Sequence, residues 1–112
     1  MSERLGRKKT VRSWISHLRS VRMPLRLWKV GGALIVGQPT EGYSEMQVEL
    51  RRQFPDTPVC ARSLVNGCIA YQPPAGMYGT DVYPVWQSPF AEGNMELTIE
   101  AFSQEMRKQL TA

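Results

Sequence analysis

Histidine is almost missing from this sequence. Its 112 residues include one, His17, and only two cysteines, Cys60 and Cys68. A single histidine excludes a self-contained site built on histidine metal ligands or on paired histidine acid–base chemistry. Two cysteines allow one disulfide at most, which excludes a disulfide-stapled scaffold. Cys60 and Cys68 stand eight apart, with no CxxC and no histidine nearby. The expectation is a pair of buried thiols rather than metal ligands. No run approaches the ~20 apolar residues of a membrane helix, and no apolar stretch follows the basic N-terminus as in a secretory signal. Localisation is not fixed by these features; the default is cytoplasmic, where both thiols stay reduced. Internal repeats and low-complexity tracts are also lacking.

Of the residues present, 42% are hydrophobic and 21% charged, enough for one domain with a modest core. The net charge of +4 hides an asymmetry. Residues 1–29 carry nine Lys/Arg against one acid (+8), whereas residues 30–112 carry five against nine (−4). The chain therefore divides into a basic N-terminal arm, residues 1–22, and a mildly acidic globular segment, residues 23–112. Within the arm, Trp14, Ile15, Leu18 and Val21 stand near helical spacing, Ser13 is a candidate cap and Pro24 ends the helix. Such an arm can contact phosphates of nucleic acid or an anionic membrane; the simpler reading is a solvated segment, or a helix that packs on something else. No recognition helix or aromatic-rich basic sheet supports nucleic-acid binding.

The globular segment predicts an α/β fold: a small sheet, hairpin plus a further strand, flanked by helices. Residues 25–37 read as a hairpin turning at Gly31-Gly32, with Leu25, Leu27 and Lys29 on one face and Ala33–Val36 as a buried return strand. Residues 44–54 read as a helix with an apolar stripe of Tyr43, Met46, Leu50 and Phe54, stopped by Pro55. Residues 58–65 read as a strand with Val59, Ala61, Ser63 and Val65 facing one way. Residues 66–93 have no period and read as a long ordered loop carrying Tyr71, Tyr78, Tyr83 and Trp86, and long loops in compact domains are often functional. Buried tyrosines with hydroxyls bonded to backbone are the default there. Residues 94–110 form the clearest helix, with Met95, Ile99, Phe102, Met106 and Leu110 on one side and Asn94 as its expected N-cap. Glu41 falls between a buried strand and a helix. A carboxylate there favours a helix N-terminus, or stands at a strand end where ligands gather; both readings stay open.

Two segments carry a resemblance. Val36-Gly37-Gln38-Pro39-Thr40-Glu41-Gly42-Tyr43 is followed by Leu64-Val65-Asn66-Gly67-Cys68-Ile69-Ala70-Tyr71, then by Tyr78 and Tyr83, seven and twelve residues after Tyr71. In order and spacing, the stretch from about Met23 to Leu110 resembles the C-terminal part of the catalytic domain of neutral/alkaline ceramidases, closest to the shorter bacterial ceramidase-like proteins. That resemblance implies a fragment of a larger α/β catalytic domain. The family's chemistry is zinc-dependent hydrolysis of the N-acyl bond of ceramide, with zinc held by two histidines, a glutamate and a tyrosine. By position Glu41 matches the glutamate and Tyr71 the tyrosine, while Tyr83 matches a tyrosine that contacts the reacting amide. Both histidines belong to the family's upstream part, and His17 lies outside the matched motifs. Ala70 replaces the glycine before the tyrosine, Pro84 an acid that often follows the last tyrosine, and Gly42 separates Glu41 from its aromatic. The implied partner is the missing upstream half or a second copy, the implied substrate an N-acyl lipid, and activity of this chain by itself is not expected. A fragment of this kind should show an exposed apolar edge or face. The alternative is a small non-enzymatic interaction module that binds an acidic partner through its basic arm.

Overall fold

A computed structural model describes residues 20 and 22–111. The basic arm up to residue 19, with His17 and all but the end of the helix expected over residues 13–22, lies outside the described residues. Strand β1 (Arg26–Val30) and strand β2 (Ala33–Gly37) form the expected antiparallel hairpin, in register from Arg26 opposite Gly37 to Val30 opposite Ala33. The turn needs Gly31, whose φ of +59° is a conformation that side chains disfavour. Strand β3 (Glu41–Gly42) leads into helix α1 (Ser44–Gln53), and strand β4 (Val59–Arg62) then returns parallel to β2. The main sheet thus has the order β1-β2-β4, with α1 as the crossover that parallel strands require.

Residues 66–93 are not a featureless loop. They contain strand β5 (Tyr71–Gln72), a 3-10 turn (Ala75–Met77) and the single-turn helix α2 (Tyr83–Trp86). Pieces of two to four residues are shorter than any hydrophobic period, so no periodicity announces them. Strand β5 pairs in parallel with β3, making a second, two-stranded sheet. Helix α3 (Asn94–Thr111) closes the chain. Asn94 does not cap it. Asn94 is its first residue, and its side-chain oxygen accepts a hydrogen bond from Gln72 Nε2 instead.

The core lies between one face of the main sheet and helices α1 and α3. Leu34, Val36 and Val59 supply the sheet side, Met46, Leu50 and Phe54 come from α1, and Met95, Ile99, Phe102 and Met106 from α3. The stripes read from the sequence are therefore the buried ones, except that Tyr43 is only partly buried and Leu110, near the end of α3, is exposed. Between the helices, Ser103 Oγ donates to Gln53 Oε1 at 2.7 Å. Helix α1 also closes the outer edge of β4: Arg51 Nε donates to the Val59 carbonyl at 3.0 Å, and Gln47 Oε1 accepts from the Ala61 amide at 3.0 Å. Side chains thus take the place of a neighbouring strand there. Cys60 and Cys68 are free and exposed, not buried. Cys60 stands opposite Ile35, on the sheet face away from the helices.

Candidate functional site

The site begins where β2 leaves the sheet. Residues 38–41 are gripped by the chain that follows β4: Gln38 N donates to Arg62 O at 3.2 Å, Val65 N to Gln38 O at 2.9 Å, Leu64 N to Thr40 O at 3.1 Å and Glu41 N to Ala70 O at 2.9 Å. To make these bonds the later segment must bend sharply. Leu64, Asn66 and Ala70 all take φ near +57°, a region costly for residues other than glycine. The bend delivers Tyr71 to β5 directly opposite Glu41 in β3. Because side chains opposite one another in a ladder share a face, two residues thirty apart in sequence become neighbours.

Tyr83 completes the group from the N-terminus of α2. Its ring meets the Tyr71 ring edge to face at 5.8 Å and the Trp86 ring at 6.1 Å. Trp86 is anchored in turn by its indole N–H, which donates to Asp81 at 2.8 Å. Pro84 occupies the first turn of this short helix, where a missing N–H costs nothing. So Glu41, Tyr71 and Tyr83 come together at the surface, with Tyr83 41% exposed. Tyr78 does not join them. Its hydroxyl donates to the Phe90 carbonyl at 3.0 Å, the bond expected of a packed tyrosine, and burial pushes its pKa up.

Beneath the three residues lies a buried polar network that sequence reading missed. Thr40 Oγ1 donates to Gln72 Oε1 at 3.1 Å, and Gln72 Nε2 donates to Thr98 Oγ1 at 2.8 Å and to Asn94 Oδ1. Thr40 and Gln72 are fully buried. Each is the immediate neighbour of a site residue, Thr40 of Glu41 and Gln72 of Tyr71. The network therefore fixes both backbones against the first turns of α3. The sequence signal was slight: a polar residue on each side of the matched positions.

Electrostatically the Tyr71 hydroxyl is held protonated. Its pKa is raised first by loss of solvent beneath its neighbours, then by the Glu41 carboxylate, which bears on it both as a charge and as a hydrogen-bond acceptor. As a donor set, Glu41 and Tyr71 offer two hard oxygen ligands on one surface. A zinc centre keeps at least three protein ligands, and among the described residues no three of His, Cys, Asp and Glu come together. Two oxygen donors by themselves do not make a zinc shell. Two surface depressions lie away from Tyr71 and Tyr83: one of about 440 Å³ by Phe54 and Asp56, and one of about 110 Å³ by Gly42 and Ser63.

No protein-family model, curated protein or solved structure matches the chain.

Proposed function

We propose that this chain is part of a zinc-dependent amidohydrolase of the ceramidase kind, and that by itself it hydrolyses nothing. The observation that carries the reading is the β3–β5 register, which sets Glu41 opposite Tyr71 while the Tyr83 ring rests against Tyr71. Three residues matched by motif order alone thus share one surface. In this reading Glu41 and Tyr71 are two of the zinc ligands, and histidines from a partner polypeptide or a second copy complete the shell. The bound metal would supply an acidified water and a polarised amide carbonyl. Glu41 would keep its carboxylate turned to the metal position, and the buried Thr40–Gln72 bond would keep the two ligands in register. The Tyr83 hydroxyl would donate to the oxygen of the amide as it gains charge. An N-acyl lipid is the substrate class this reading names.

The test supplies the missing ligands in solution. Equilibrium dialysis against zinc with free imidazole, which stands in for histidine, should show zinc retained by the wild-type chain. Substituting even an indirect partner of a metal ligand costs about 10–100-fold in affinity, so Glu41→Gln and Tyr71→Phe should each lower retention at least about tenfold. Equal zinc uptake by all three proteins would remove the reading.

A further inference from the structure

The side of the main sheet away from the helices has no covering layer among the described residues. It presents Trp28, Val30, Ile35 and Cys60, and Val65 packs beside Trp28 over Gly37. Trp28 is 43% exposed and Val30 60%. Parallel strands such as β2 and β4 are ordinarily covered on both faces, so a bare one needs an occupant. Charge says which kind. Strands β1, β2 and β4 contain no Asp or Glu, and on this face Arg26 and Arg62 stand on either side of Gly37, opposite it in the two ladders. Eight of the nine acids after residue 29 belong instead to the helices or to the loops at Asp56, Asp81 and Glu92, and the ninth is Glu41 in β3. The arm leading into β1 supplies most of the +8 carried by residues 1–29.

We propose that this face docks on an anionic lipid surface. Trp28 is the anchor, since an indole places an apolar body and a polar N–H together at a membrane–water boundary. Val30 adds apolar area, while Arg26 and Arg62 meet lipid phosphates. A second copy would bring the same cations and no acid to the contact, so charge favours the lipid. The proposal extends the N-acyl lipid reading of the site, because Val65, which packs beside Trp28 over Gly37, donates its amide to Gln38 O and so joins the docking face to the chain that carries Glu41.

The experiment is co-sedimentation of the full chain, free of zinc, with phosphatidylcholine vesicles made with and without phosphatidylserine. Binding should require phosphatidylserine and weaken as salt rises. The double substitution Trp28→Ser, Val30→Ser should weaken it roughly tenfold or more. Arg26→Glu and Arg62→Glu should each weaken it about fivefold or more. All four side chains are exposed, so circular dichroism should be unchanged. Equal binding to both vesicle types would overturn the proposal. So would binding that survives these substitutions and is lost only when the basic residues of 1–12 are neutralised, which would leave the arm alone as the contact. A Trp28-dependent dimer in sedimentation velocity, without vesicle binding, would assign the face to a second copy. With no zinc in the vesicle assay and no lipid in the zinc assay, either reading can fail while the other stands.

Discussion

Ala70 holds a φ of +58° immediately before Tyr71. An L-residue in this region costs roughly 1–2 kcal/mol, and a glycine does not pay that cost. Glycine gives back part of the gain, about 0.4–1 kcal/mol, by loosening the unfolded chain. Ala70→Gly should therefore stabilise the protein by about 0.5–1 kcal/mol, seen as a higher denaturant midpoint at unchanged slope; a lower midpoint would mean that the backbone at residue 70 is not left-handed. Tyr71 itself gives a second residue-level test. Its pKa is raised above 10.0 by burial and by the Glu41 carboxylate, in that order. The folded state thus binds the phenolic proton more tightly than the unfolded state does, and its contribution to stability falls as pH rises past the ordinary phenol value. Glu41→Gln removes the charge and leaves the burial, so the Tyr71 transition should move part of the way down. Ultraviolet titration of phenolate, with Tyr71→Phe identifying the relevant transition, reads this directly. No movement would show that the carboxylate does not face the hydroxyl.

Strands of two residues cannot hold themselves together, and β3 and β5 depend on the polar contacts behind them. Gln72 is the hub: Thr40 donates to it, and it donates to Thr98 and Asn94. Gln72→Leu keeps the volume and leaves those buried groups without their partner, at about 1–3 kcal/mol for each one that finds no water. The expected result is a clear loss of stability, with faster amide exchange at Glu41 and Ile69, the neighbouring donors in this ladder. Stability equal to wild type would show that the network is decorative. The same elements mark what could be read beforehand. The hairpin, α1 and α3 were legible because each shows a glycine turn or a stripe long enough to repeat, and Leu34, Met46, Leu50, Phe102 and Met106 fall where their periods put them. The strand read over residues 58–65 stops at Arg62, because Leu64 and Asn66 turn left-handed to bond with residues 38–40. Pairing of that kind is set by tertiary contact and leaves no local pattern. Glu41, Tyr71 and Tyr83 were singled out by motif order alone, and nothing in composition foretold that a ladder would set the first two opposite each other. Thr40, Gln72 and Asp81 were missed because single polar residues beside two-residue strands or a one-turn helix look like loop.

Viewed whole, the described protein buries one side of one sheet. Two helices cover that side, and a single apolar cluster joins all three layers' contacts. A domain of this size has little stability to spare, because small chains bury a smaller share of their surface. Leu50 is the most telling probe: it is completely buried and comes from the helix that also seals the β4 edge through Gln47 and Arg51. Leu50→Ala should cost about 2–5 kcal/mol through lost burial and the cavity left behind. Because α1 touches both β4 and α3, loosening it exposes the far side of α3 as well as the sheet. Far-ultraviolet dichroism and near-ultraviolet dichroism should therefore lose their signals together, at one lowered midpoint. Separate midpoints would show that α3 and the sheet hold independent cores. On the other face Trp28 packs only part of its ring over Gly37, so in buffer Trp28→Ser should lower the midpoint less than Leu50→Ala does. With phosphatidylserine vesicles present the two proteins should part: the wild-type midpoint rises with lipid concentration by mass action, and that of Trp28→Ser follows only weakly.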